Sequence, residues 1–316
     1  MQQLTEPPNL LTGHLLLLLA GLAALGSLAT NIILPAFPTM AGDLGTSVKD
    51  LSATLASFFV AFAVGQLFVG PLSDRFGRKW LAMSGLMVFV AGSVLCALAD
   101  NLSQLIVGRI VQALGVCATS VLSRAIARDL FEGETLARAL SLIMVAMAAA
   151  PGFSPLLGGA LNSVLGWRST FGVVAILAVL LGIRYWSQLG ETHSADKRAP
   201  ISITAILKTY GLLLGDRRFI APALSVSLVI GSLYMFFAMA PAILMTGFGF
   251  APLGLSLFFA STVFVVFGAG ILAPKLAHRW GQIRAARAGI LIALAGSIAL
   301  LLGWEDVYYF SFAITV

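Results

Sequence analysis

Apolar residues in this chain come in long, nearly unbroken runs separated by short polar stretches. Runs of the ~17–25 residues that a membrane-crossing helix needs fall near 14–36, 51–72, 80–99, 102–123, 136–162, 167–189, 218–244, 251–273 and 285–303. A further run from Val307 stops at Val316, too short to cross. The pattern predicts nine helical spans and a stub of a tenth. Because the polar breaks are short, neighbouring spans form hairpins whose turns lie in water. The sharpest break follows Gly65-Gln66-Leu67-Phe68-Val69-Gly70-Pro71, where Leu72-Ser73-Asp74-Arg75-Phe76-Gly77-Arg78-Lys79 carries one acid and three bases before a new apolar run begins at Trp80.

The basic residues give the spans a direction. With the N-terminus inside, Arg75, Arg78 and Lys79 occupy the first inner loop, and Arg124, Arg128 and Arg138 lie in or beside the next. Arg184, Lys197, Arg198, Lys208, Arg217 and Arg218 flank or fill the stretch after the sixth span, and Lys275, Arg279, Arg284 and Arg287 follow the eighth. Sixteen of the 19 Lys and Arg residues therefore sit on one side, as the preference of bases for cytoplasmic loops predicts.

Composition agrees. Of 316 residues, 59% are hydrophobic and only 10% charged, against about a quarter charged in soluble domains. The net charge of +6 forms no continuous basic face, which argues against a nucleic-acid partner. Cys96 and Cys117 would lie at depths more than ~10 Å apart on adjacent antiparallel helices, too far for a disulfide. Met1 to Gly13 holds no Lys or Arg, so it lacks the basic start of a cleavable signal peptide, and the first helix is expected to remain.

The hinge string G-x4-G-P-L-S-D-R-F-G-R-K, from Gly65 to Lys79, resembles the loop between helices 2 and 3 of the major facilitator superfamily. That resemblance implies an all-α integral membrane fold built from two parallel six-helix bundles. An internal repeat is consistent with it: Arg75-Phe76-Gly77 recurs as Arg279-Trp280-Gly281 at an offset of 204 residues. The expected organisation is a complete N-terminal six-helix bundle over 1–189, a cytoplasmic linker over 190–217 and a partial C-terminal bundle over 218–316. At that offset Val316 corresponds to Gln112, so helices 11 and 12 have no counterpart. The chain reads as truncated, a fragment or the product of a damaged gene; a purposeful nine- or ten-helix design is the alternative.

Four groups of residues are candidates for chemistry. Arg109 lies inside a span, where a charge costs ~2.5–3.5 kcal/mol on insertion scales and usually faces a wet cavity or a partner; the alternative is a side chain snorkelling to the outer surface. Its segment, with Gln112, resembles the superfamily's helix-4 motif, whose Arg is associated with proton coupling. Asn31, in Thr30-Asn31-Ile32-Ile33-Leu34-Pro35, should lie at Arg109's depth and can offer its carbonyl to the guanidinium. Its stretch resembles the helix-1 signature of bicyclomycin/chloramphenicol-type drug efflux proteins, which commonly carry Asp there. Asn cannot titrate, and no Asp or Glu occurs at mid-depth in any span. Asn31 either ties two helices together or contacts substrate.

Gly70, Asp74, Arg75, Gly77 and Arg78 form either a solvated turn or, by resemblance, a cytoplasmic gate latch whose Asp meets a helix N-terminus in the other half. Pro151, Pro155, Gly158 and Gly159, in Ala150-Pro151-Gly152-Phe153-Ser154-Pro155-Leu156-Leu157-Gly158-Gly159, resemble the antiporter motif of drug efflux members, thought to seal the interface between halves. Tyr234 and Phe237, with neighbouring Met and Phe residues, either line an adaptable apolar pocket or face lipid. His14, His193 and His278 show no metal-ligand spacing, and no nucleotide, zinc-protease or hydrolase motif occurs. The sequence supports no enzyme and no cofactor.

By resemblance the chain is a secondary transporter of the drug efflux branch, exporting small drug-like molecules in exchange for protons through alternating access. It is expected to be monomeric, in a bacterial-type inner membrane, with its N-terminus cytoplasmic. Two rivals stay open: a proton-independent facilitator or uptake carrier, and a non-transporting remnant.

Overall fold

The computed structural model describes residues 13–194, 196, 198 and 203–302. They are helical, with no strand among the described residues. Contacts divide the chain into one compact unit ending at Ser202 and a second beginning at Ile203.

The first unit holds α1 (Gly13–Asn31), a 3-10 turn (Leu34–Ala36), α2 (Phe37–Asp43), α3 (Ser52–Phe76), α4 (Arg78–Ala97), α5 (Leu102–Leu130), α6 (Gly133–Leu165) and α7 (Arg168–Gln188). The first span does not end at residue 36. Pro35 and Pro38 lack the N–H that an uninterrupted helix needs, so α1 tightens into the 3-10 turn and resumes as α2, one crossing of 31 residues, Gly13–Asp43. Asn31 therefore stands where α1 gives way, well inside the crossing.

α1 and α5 are the most buried helices. α5 packs on α3, α4 and α1, α6 packs on α1, and α7 packs on α4 and α1. The α4–α5 seam is close because glycines meet backbone across it. A Cβ added at Gly92 would overlap the amide N and Cα of Gln112, and one at Gly115 would overlap the backbone of Phe89 and Gly85. Such small-residue contacts let membrane helices gain dispersion energy where no hydrophobic drive between helices exists. Cys96 and Cys117 are both free and buried.

At the end away from the 70–79 hinge, Arg168 joins three elements. Its Nη1 lies 3.6 Å from Asp43 Oδ2 and its Nη2 3.8 Å from Asp100 Oδ1, while Nη2 also donates to Ala99 O at 3.0 Å. Trp167 Nε1 donates to Asp43 Oδ2 at 2.8 Å. These side chains are largely solvent-exposed, so each ion pair contributes ~1 kcal/mol at most.

The second unit holds α8 (Ile203–Gly215), α9 (Arg217–Pro241), a π turn (Ala242–Gly247), α10 (Pro252–Trp280) and α11 (Gln282–Leu302). Part of the stretch read as a polar linker is thus the helix α8. The charges over 191–198 dominate that stretch in sequence, but Ile203, Ile206, Leu207 and Leu212 to Leu214 follow as an apolar run of their own. The sequence repeat has a backbone counterpart. Gly77 ends α3 with φ 93° and ψ 163°, and Gly281 ends α10 with φ 84° and ψ 152°, a conformation open essentially to glycine alone.

Among the described residues, seven helices are long and apolar enough to cross a membrane. α10 and α11 stand where the sequence places its eighth and ninth spans. The run from Val307 lies outside the described residues.

Candidate functional site

Arg109 lies on α5 and is fully buried, so it does not snorkel to a surface. Its Nη1 donates to Ala29 O on α1 at 3.1 Å and to Gln112 Oε1 one turn along α5 at 2.5 Å. Its guanidinium carbon sits 4.2 Å from the centre of the Phe58 ring on α3. Gln112 passes the connection on: its Nε2 donates to Ser93 Oγ on α4 at 2.8 Å, and Ser93 Oγ donates to Phe89 O at 2.8 Å. One polar chain therefore links α1, α5 and α4, with an aromatic face from α3 against the charge.

Magnitudes show what this arrangement achieves. The insertion cost of ~2.5–3.5 kcal/mol is met by a desolvated cation–π contact worth ~2 kcal/mol and by charge-assisted hydrogen bonds of ~1.5–3 kcal/mol each. Yet Arg109 Nε and Nη2 have no partner among the described residues, and each unmet buried donor costs ~1–3 kcal/mol. Among the described residues no carboxylate answers the charge: each described acid of the first unit lies at a helix end or in a loop. The site is a fixed positive charge with donors to spare, suited to a carbonyl, hydroxyl or anionic group.

Asn31 does not meet the guanidinium as the sequence reading expected. Its Nδ2 donates to Ser27 O at 2.7 Å and to Thr30 Oγ1 at 3.2 Å. Its amide satisfies the end of its own helix, while Arg109 takes the backbone carbonyl two residues earlier. On α6, Gly158 approaches this same region: a Cβ there would overlap Ile32 O. Pro155 and Gly158 are buried, while Pro151 and Gly159 are half-buried. Pro151 and Pro155 lie inside α6, where each removes one i→i−4 hydrogen bond. The antiporter-like string thus lies against the end of α1.

The hinge between α3 and α4 forms a second cluster. Arg78 is buried; its Nη1 lies 2.7 Å from Asp74 Oδ1 and also donates to Ser73 Oγ, and its Nε lies 3.1 Å from Asp129 Oδ2 at the end of α5. Asp74 is thus engaged by its own hinge. Arg75 remains exposed, its guanidinium 5.5 Å from the Phe76 ring, and Gly70 is half-buried.

The carboxylate that meets a helix N-terminus here is Glu191, which sequence reasoning placed only in a charged linker. Arg78 N donates to Glu191 Oε1 at 2.7 Å and Lys79 N to Oε2 at 3.2 Å. These are the first two N–H groups of α4, where a negative charge is favoured. Arg198 Nη2 lies 3.7 Å from Glu191 Oε2, and Thr192 Oγ1 donates to Asp129 Oδ2 at 3.1 Å. A Cβ at Gly77 would overlap the Glu191 carboxylate, so the glycine both turns the chain and admits this cap. Glu191→Gln should cost about 1 kcal/mol. Thermal unfolding and faster proteolysis within 190–198 would register it, and unchanged values in both would remove the capping role.

Tyr234 and Phe237 fall on α9 in the second unit; Tyr234 is half-buried, and the side chain of Phe237 lies outside the described residues. Phe58, Ser93, Ser73 and Glu191 were not foreseen as site residues. No sequence signal distinguishes Phe58 and Ser93 from other residues of apolar helices, whereas Ser73 lies within the hinge string. For Glu191 the only signal was a cluster of charges directly after the sixth span, which does not single it out. No group of His, Cys, Asp and Glu able to hold a metal occurs among the described residues.

Comparison with known proteins fits this arrangement. The Major Facilitator Superfamily profile matches residues 19–316. The chain is 33% identical over 286 residues to the uncharacterized MFS-type transporter YdgK of Bacillus subtilis (strain 168), covering 90% of this chain and 71% of that one. It is 31% identical over 287 residues to a chloramphenicol resistance protein of Pseudomonas aeruginosa, covering 90% and 67%. Among solved structures, a bacterial homolog of the human lysosomal transporter Spinster, inward-facing and occupied, superposes with a TM-score of 0.72 at 18% identity, over 96% of this chain and 70% of that one. The chain belongs to the Major Facilitator Superfamily. It is a multi-pass membrane protein of a transporter family that takes small-molecule substrates, and not an enzyme.

Proposed function

We propose that this chain exports small drug-like molecules by alternating access, with Arg109 at the heart of the path and proton exchange as the drive. The observation that carries this reading is the fully buried Arg109 with two guanidinium nitrogens, Nε and Nη2, unmet among the described residues: a bundle keeps so costly a group where a polar substrate or a water-filled route needs it. Gln112 and Asn31 flank it, and the Pro151–Gly159 string rigidifies the neighbouring wall. The α3–α4 hinge with Asp74 and Arg78 serves as the cytoplasmic latch, with the N-terminus on the same side and the protein monomeric in an inner membrane. Relatives named for resistance to chloramphenicol and bicyclomycin support drug export as the direction.

One observation favours a second reading. Among the described residues no carboxylate stands beside Arg109, so the described bundle lacks the usual titrating partner, as a facilitator would. Vesicles holding the full chain and an imposed pH gradient separate the two. Antiport predicts proton movement only when chloramphenicol is added; drug flux without proton movement selects the facilitator. Neither flux would remove both readings and leave a non-transporting protein.

A further inference from the structure

A groove of about 590 Å³ runs between α4 and α7, lined by none of the residues around Arg109. It exists because Ala178 and Gly182 put almost no side chain between two ridges, Met83, Met87 and Val90 on α4 and Val179 and Ile183 on α7. Leu86 Cδ1 lies 3.5 Å from where a Gly182 Cβ would sit, so the floor is closed and the groove open only outward. Its lining is apolar until one end, where Trp186 and Ser187 stand.

At that end Lys79 Nζ lies 4.1 Å from the centre of the Trp186 ring. Two neighbouring charges, Arg78 and Glu191, are already engaged. Arg78 is held by Asp74 and Asp129, and Glu191 by Arg198 and the first N–H groups of α4. Lys79 has no carboxylate partner among the described residues. Trp and Lys side by side are the residues that anchor a helix at the membrane–water boundary.

Length supplies the remaining constraint. From Lys79 to Ala91 the helix rises ~18 Å, close to one leaflet of a ~30 Å hydrocarbon core. The groove thus starts at the polar boundary beside a cation and ends near the bilayer centre. We propose that it binds one acyl chain of an anionic phospholipid, with the headgroup phosphate held by Lys79 and the chain lying on Ala178 and Gly182. A soluble drug would gain nothing from this one-leaflet depth, and a second protein helix would leave Lys79 unanswered.

Native mass spectrometry of the full chain, with added dioleoylphosphatidylglycerol or dioleoylphosphatidylcholine, tests this. The wild type should retain one phosphatidylglycerol with about fivefold preference, the contribution of a single basic residue near anionic lipid. Lys79→Gln should lose the preference and keep chain binding. Gly182→Phe, which fills the groove, should lose retention of both lipids, and a diazirine on the acyl chain should label wild-type 78–97 and 168–188. Equal retention by the wild type and Gly182→Phe, labelling spread evenly over all helices, or a preference unchanged in Lys79→Gln would each overturn the proposal. So would displacement of the lipid by chloramphenicol at equal concentration, which would make the groove a drug site.

Discussion

Arg109→Met should leave the folded protein within about 1 kcal/mol of the wild type, or more stable, while drug flux falls to background. The reasoning is a balance of terms. The guanidinium costs ~2.5–3.5 kcal/mol to insert, and its hydrogen bonds and ring contact return a similar sum with two nitrogens still unmet. Methionine fills comparable space, needs no partner and suits membrane. Replacing buried charge with apolar side chains of like volume is often neutral or stabilising. What methionine cannot supply is the surplus of N–H donors at Nε and Nη2. Parallel melting curves and flux assays on the two purified proteins check both halves. A strongly destabilised variant would make Arg109 a structural strut, and a stable, fully active one would place the path elsewhere.

Gly92→Leu should have the opposite signature: a loss of about 3 kcal/mol or more, with activity failing because the fold does. The added atoms would meet the amide N and Cα of Gln112, which are backbone and cannot rotate away. α4 must then move off α5, and the Ser93–Gln112 hydrogen bond one residue further on opens with it. Gly182→Ala is the control, since its Cβ would find only ordinary contacts at 3.5 and 3.7 Å with flexible side-chain ends. Melting temperatures in detergent should separate the two variants widely. A Gly92→Leu protein that melts like the wild type would mean the seam is looser than its geometry requires.

What the sequence made legible follows from which signals are local. A charge in an apolar run announces itself, so Arg109 was visible, as was the hinge whose glycine, acid and bases sit within fifteen residues. Partnerships across space were not. Asn31 was expected to offer its carbonyl to the guanidinium because the two share a depth. The helix instead presented Ser27 O one turn back to the amide and left Ala29 O for the arginine. Glu191 was hidden for a related reason: nothing in a cluster of charges after a span says which one will fold back onto a helix N-terminus 113 residues earlier in the chain. The same cluster masked α8, whose apolar residues begin after it. The repeat was the exception, since a tripeptide at fixed offset was enough to find two glycines that share one backbone conformation.

Steady-state accumulation of radiolabelled chloramphenicol in intact bacterial cells tests the central claim most directly. Cells expressing the full chain should hold less drug than cells expressing Arg109→Met at equal membrane abundance, and the difference should vanish when the membrane is de-energised. Equal accumulation in energised cells, with both proteins folded and present, would contradict a transport path through the buried arginine.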